Sequence, residues 1–207
     1  MIATAESLLV RCLLAAGRWA AALQFPLRIE SRGQLPAARP VIFAGNHCSE
    51  YDAWFALPII ANRLGEYPAL VAWPGLRELP ILRRLEAHPR CPAIVVAPDN
   101  RARALWGVMD ALGRGSSVYL NLDGAHRAGV RDEGEPGAAL AALRCRVPIV
   151  PFVIQGTETL SRIPFARRIS MDFLPAIDPG EARHLPLREG VAAIQDRLRK
   201  TLSSHGA

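Results

Sequence analysis

The chain has 207 residues, half of them hydrophobic, which is enough for one sizeable core and argues against disorder. Its net charge is +6, and Lys200 is the sole lysine, so 24 of the 25 basic residues are arginine. Cys12, Cys48, Cys91 and Cys145 show no zinc-type spacing, and the five histidines form no metal motif, so neither a metal site nor a disulfide framework is expected.

The arginine bias has two readings, recognition of phosphate oxygens by guanidinium and the codon usage of a GC-rich genome. The basic balance suits anionic lipid headgroups or nucleic acid. The aromatic interleaving and motifs of nucleic-acid binders are missing, so that class is set aside. No uncharged apolar run reaches the roughly 18–20 residues that span a bilayer. Glu6 at the start, with Arg11 and Arg18 interrupting the apolar stretch, does not read as a signal peptide.

Residues 4–24 read as a helix that stops before Pro26. Glu6, Arg11, Gly17, Arg18 and Gln24 share one side, and Leu8, Leu9, Leu13, Leu14, Trp19 and Leu23 the other. A wide apolar face bordered by arginines fits a helix lying in a membrane interface. Packing on the protein's own core, or on a second copy, is the competing reading. Residues 1–25 are thus set apart from an α/β domain over 26–207.

Leu27–Ser31 reads as a strand. Pro40–Gly45 is a short apolar run that reads as a buried strand, and a helical pattern covers 51–64. Between them lies Asn46-His47-Cys48-Ser49-Glu50-Tyr51-Asp52. Ser49 and Asp52 stand at capping-box spacing. On one ideal helix His47 and Asp52 would be about 140° apart and could not meet. With His47 outside the helix and Asp52 in its first turn, the carboxylate can reach back to the imidazole, the arrangement of a general base. The plainer reading makes Asp52 a helix cap and His47 a turn residue.

Further strands are expected at Ala69–Trp73, Pro92–Ala97, Ser117–Leu122, Val147–Gln155 and Ile169–Ala176. Helices are expected at Leu76–Leu85, 101–113, Gly137–Arg144 and Leu187–Leu202, and 128–137 reads as a surface loop. Pro148 and Pro151 make the 147–155 strand bulged, or an edge strand in part. Strands alternating with helices predict an α/β fold, a largely parallel sheet flanked by helices. Ligands bind such sheets outside the carboxyl ends of the strands, and His47 and Asp123 both follow strands.

The Asn-His-x-Ser-x-x-Asp block after an apolar strand resembles the H-x-x-x-x-D block of the glycerolipid, or lysophosphatidate-type, acyltransferases. Val147-Pro148-Ile149-Val150-Pro151 is similar to that family's Val-Pro-Ile-Val-Pro block. Ala97–Arg103 and Val118–Arg127 fall where it has a strand-end arginine and a Phe-Pro-Glu-Gly-Thr-Arg block. The resemblance spans about 26–200.

It implies transfer of a fatty acyl group from acyl-CoA or acyl carrier protein to a hydroxyl of a lyso-phospholipid or other lipid acceptor, with no cofactor. The enzyme would sit at the cytoplasmic face of the cell membrane, peripheral or monotopic. His47 would be the base and Asp52 its orienting acid. A backbone N–H near the start of the 51–64 helix would help hold the oxyanion. Cys48 is expected to point away from the chemistry. Asp123, Gly124, His126 and Arg127 would bind substrate, and Arg101 or Arg103, between which spacing does not choose, would be the further arginine, with Arg101 taken as the candidate.

The Asp123–Arg127 block departs from the family pattern. Asp is shorter than Glu, Ala125 lacks a hydroxyl, and His126 stands where arginine is expected. Either Arg127 takes the phosphate or the acceptor is not a lysophosphatidate. Ordinary turn chemistry also accounts for Asp123-Gly124. The alternative function is a catalytically weakened relative that binds lipid or acyl chains without turnover.

Overall fold

The structure, a computed structural model, describes residues 27–31, 35–37, 39–49, 52–72, 93–95, 101–122, 136–157 and 169–205. The stretch 4–24, the helix expected at Leu76–Leu85 and the segment 123–135 lie outside the described residues.

Seven strands among the described residues form one sheet, in the order β1-β7-β6-β2-β5-β3-β4. They are β1 (Leu27–Ser31), β2 (Ile42–Gly45), β3 (Ala69–Ala72), β4 (Ala93–Val95), β5 (Val118–Asn121), β6 (Ile149–Gln155) and β7 (Ile169–Phe173). Strands β4, β3, β5, β2 and β6 run parallel. Strand β7 is antiparallel to β6, and β1 is parallel to β7. The sheet is therefore largely parallel, with a reversed pair at one side.

The helices are α1 (Asp52–Leu64), α2 (Arg101–Gly113), α3 (Gly137–Cys145) and α4 (Leu187–Ser203). Alternation along the strands divides the core between two faces. Phe43, Tyr119, Val150, Phe152, Ile154 and Phe173 pack against α1 residues Phe55, Ile59 and Ile60. On the opposite face Ile42, Ala44, Val118, Leu120, Ile149 and Val153 meet α2, α3 and α4. The central strands are apolar on both faces because both faces are covered, as parallel sheets require. Four alanines of α3, Ala138, Ala139, Ala141 and Ala142, are buried in that second layer. Helix α4 contributes Ile194, Leu198 and Leu202, the spacing of one amphipathic stripe.

Strand β6 is interior rather than an edge, because its two prolines sit where little is lost. Pro148 precedes the strand and accepts from the Ile42 N–H at 3.0 Å. Pro151 lies where regular pairing with β7 gives out, and its carbonyl still accepts from the Leu174 N–H at 2.8 Å. Between the pairs Phe152↔Phe173 and Ile149↔Ile177, β6 advances three residues and the facing chain four. That offset is a bulge, and it leaves no ladder partner for the N–H that proline lacks. It also ends β7 at Phe173, short of the expected Ala176.

Gly45 closes β2 against the Phe152 ring. A Cβ there would lie 2.2 Å from two ring carbons, and that ring is stacked on Tyr119 with centroids 5.5 Å apart. Phe152 is fully buried and has no room to yield. Gly45→Ala is expected to cost about 1–3 kcal/mol, the usual range for overpacking. Urea unfolding of the two proteins checks this; equal midpoints would refute it.

Candidate active site

Because β2, β5 and β6 are adjacent and parallel, their carboxyl ends open on one edge of the sheet. His47 follows β2 by two residues, Asn121 ends β5, and Thr157 follows β6 by two. Asp52 is the first residue of α1. The chain turn between β2 and α1 brings the acid back to the imidazole, with His47 Nδ1 to Asp52 Oδ2 at 2.9 Å.

Asp52 is fully buried, while the His47 side chain is 17% exposed. One carboxylate oxygen, Oδ2, also accepts from the Cys48 N–H at 2.7 Å and the Ser49 N–H at 3.0 Å. The other, Oδ1, accepts from the Thr157 hydroxyl and, at 3.4 Å, from the Ser49 hydroxyl. The Ser49–Asp52 spacing thus forms half of a capping box: the acid takes the backbone N–H, and the serine hydroxyl turns to the acid. Burial pushes the Asp52 carboxyl up, but the bonds from His47, Ser49, Thr157 and Cys48 outweigh it, and the group sits below its ordinary value. It is therefore an ionised, acceptor-only partner, which holds a proton on Nδ1 of the ring. In that tautomer Nε2 is the ring nitrogen that carries the lone pair.

The amides of Cys48 and Ser49 both serve this carboxylate. Neither is the oxyanion donor expected near the helix start. The Cys48 thiol approaches the Ile154 carbonyl at 3.3 Å and the Asn46 amide nitrogen at 2.9 Å, facing β6.

Three residues that carried no assignment in the sequence hold the site together. Asn46 donates to the Ile154 carbonyl at 2.9 Å and accepts from its N–H at 2.8 Å, continuing the β2–β6 ladder with a side chain. Thr157 fixes Asp52. Asn121 lies 3.2 Å from His47 Nδ1 through Nδ2 and accepts from the Tyr119 hydroxyl at 3.0 Å. Burial, with the Asp52 charge nearby, pushes the Tyr119 hydroxyl far up, so it remains a neutral phenol. The signal for Asn121 and Thr157 was their position: polar residues at or just beyond the carboxyl ends of strands flanking β2.

Asp123, Gly124, His126 and Arg127 lie outside the described residues; they directly follow Leu122, whose N–H donates to the Gly45 carbonyl at 2.9 Å. Arg101 opens α2, and its side chain is outside the description. Among the described residues no group of acidic, cysteine or histidine side chains could hold a metal ion, and no helix is long and apolar enough to cross a membrane.

A buried acid gripping an imidazole at the open edge of a parallel sheet can orient the ring for proton transfer, and the fold is similar to that of a known enzyme. It is similar to 1-acyl-sn-glycerophosphate (LPA) acyltransferase, PlsC, from Thermotoga maritima, with a TM-score of 0.64 and 20% identity over 95% of this chain and 82% of that one. The Acyltransferase family model matches residues 27–155, well over half of the chain. The protein belongs to that Acyltransferase family and is an acyltransferase. No curated protein sequence matches it.

Proposed function

We propose that the protein transfers a fatty acyl group from an acyl thioester, acyl-CoA or acyl carrier protein, to the hydroxyl of a lyso-phospholipid or related lipid at a membrane surface. The observation that carries this reading is the 2.9 Å contact between His47 and the buried Asp52 in a chain of acyltransferase family. In the proposed reaction Nε2 of His47 takes the proton of the acceptor hydroxyl as its oxygen attacks the thioester carbonyl. Asp52 holds the ring and stabilises the imidazolium. The tetrahedral intermediate expels the thiolate, which recovers the proton from Nε2. No acyl-enzyme is needed.

The membrane part rests on the amphipathic pattern of residues 4–24. Placement at the cytoplasmic face rests on the need for an intracellular acyl thioester. The test is thiol release from acyl-CoA or acyl carrier protein across a panel of lyso-lipids. Lipid binding with no thiol release from any donor and acceptor would defeat the reading.

Asp123, Gly124, His126, Arg127 and Arg101 are proposed to bind substrate, with Arg127 as the phosphate ligand in the altered block. A guanidinium pairs with phosphate oxygens where a neutral imidazole cannot. Arg127→Ala is expected to raise KM for a phosphate-bearing acceptor on the order of tenfold, with kcat little changed, since a contact made equally in ground and transition states moves KM alone. KM for a neutral lipid alcohol stays the same. An equal rise for both acceptors would remove Arg127 from this role.

A further inference from the structure

We propose that Asn121 is a positioning residue for His47, tethered by Tyr119, and that the pair sets the ring's placement and tautomer. This rests on His47 acting as the base. Nδ1 is approached from two sides, by Asp52 at 2.9 Å and by the Asn121 amide at 3.2 Å. The amide is itself held at its far end by the hydroxyl of Tyr119, which is 1% exposed and stacked on Phe152. Tyr119 and Asn121 are two apart on β5, so they project from one face and reach the ring from the sheet, while Asp52 reaches it from α1. The imidazole edge is thus clamped between two elements.

A carboxamide carries an acceptor at one end and donors at the other, and turning it over exchanges them. With Nδ2 toward the ring, as found, it favours an Nδ1 that accepts. That tautomer carries its proton on Nε2 and cannot serve as a base there. With its oxygen toward the ring it becomes a second acceptor for Nδ1–H beside Asp52, and its nitrogen donates to the Tyr119 oxygen. This second orientation matches the acceptor-only carboxylate and leaves the Nε2 lone pair for the substrate.

The experiment uses the full-length protein with Asn121→Leu, close in size, and Tyr119→Phe, which removes one oxygen. Asn121→Leu is expected to lower kcat on the order of tenfold, the scale of a modest misplacement of a reacting group. KM for donor and acceptor stays within about twofold. Tyr119→Phe is expected to give a smaller loss that disappears in the Asn121→Leu background. ¹⁵N NMR of the imidazole is expected to show Nδ1–H alone in the unsubstituted neutral ring and a mixture of tautomers in Asn121→Leu. Unchanged kcat in both variants, or an unchanged tautomer with KM alone affected, overturns the proposal. If Asn121→Leu does not fold, Tyr119→Phe decides, a lower kcat supporting it and an unaltered one refuting it. If His47→Ala keeps full activity, the base assignment falls and this inference with it. If His47→Ala is inactive while both β5 variants are normal, only the inference falls.

Discussion

Replacing His47 by alanine is expected to lower kcat by about two to four orders of magnitude, the contribution of a positioned general base. Both KM values should change little, because in the proposed chemistry the imidazole acts on a proton that moves only as the transition state is approached. The fold should survive. The side chain is 17% exposed, and without it Asp52 keeps the Cys48, Ser49 and Thr157 donors. Steady-state thiol release, with circular dichroism as the control for folding, checks the result. A folded His47→Ala protein with normal kcat would dismiss the proposed chemistry.

Asp52→Asn is expected to damage both catalysis and stability. The amide nitrogen must face N–H or O–H donors that now meet a carboxylate, or else turn toward the ring and impose the wrong tautomer. A kcat loss of about two to four orders of magnitude follows. In the proposed chemistry the two residues work as a unit, so the double variant with His47→Ala should be about as inactive as either alone. The stability loss should be about 2–4 kcal/mol, the scale for hydrogen bonds to a buried charge left without their acceptor.

That loss depends on pH in a defined direction. The folded carboxyl lies below its ordinary value, so its stabilisation is complete above the unfolded value of about 3.9. It disappears as the pH falls through the lower, folded value. Urea midpoints of the native and Asp52→Asn proteins should therefore be far apart at pH 7 and converge in strong acid. A constant difference from pH 7 to pH 3 would show that the charge of Asp52 contributes nothing.

Much of the architecture could be read from local pattern. Strand β1 and helix α2 occupy the expected residues, and α1, α3 and α4 differ by one residue at an end, because continuous apolar runs and one-faced helices are local signals. The reversal of β7 was not readable. A strand's direction depends on where the chain returns to the sheet, and five residues such as Ile169–Phe173 carry no mark of it. The same holds for the bulge: Pro151 announced an irregularity, but its place within an interior strand depended on β7. In the site, the His47–Asp52 contact was accessible because both lie within six residues. Asn121 and Thr157 were not, since their partners lie 74 and 105 residues away and only the order of strands unites them.

The reversed pair at the side of the sheet has a geometric consequence. Because β7 opposes β6 and β1 follows β7, Leu27 stands level with Ile169, next to the Gln155 end of β6. Whatever route the first 26 residues take, they are tethered at the rim where the imidazole waits, not at the far pole of the molecule. Trp54, nearly half exposed on the first turn of α1, belongs to the same rim. An enzyme resting on a bilayer by that leading segment would meet its acceptor with the reactive pole downward, and the lipid would need to lift only its headgroup out of the leaflet.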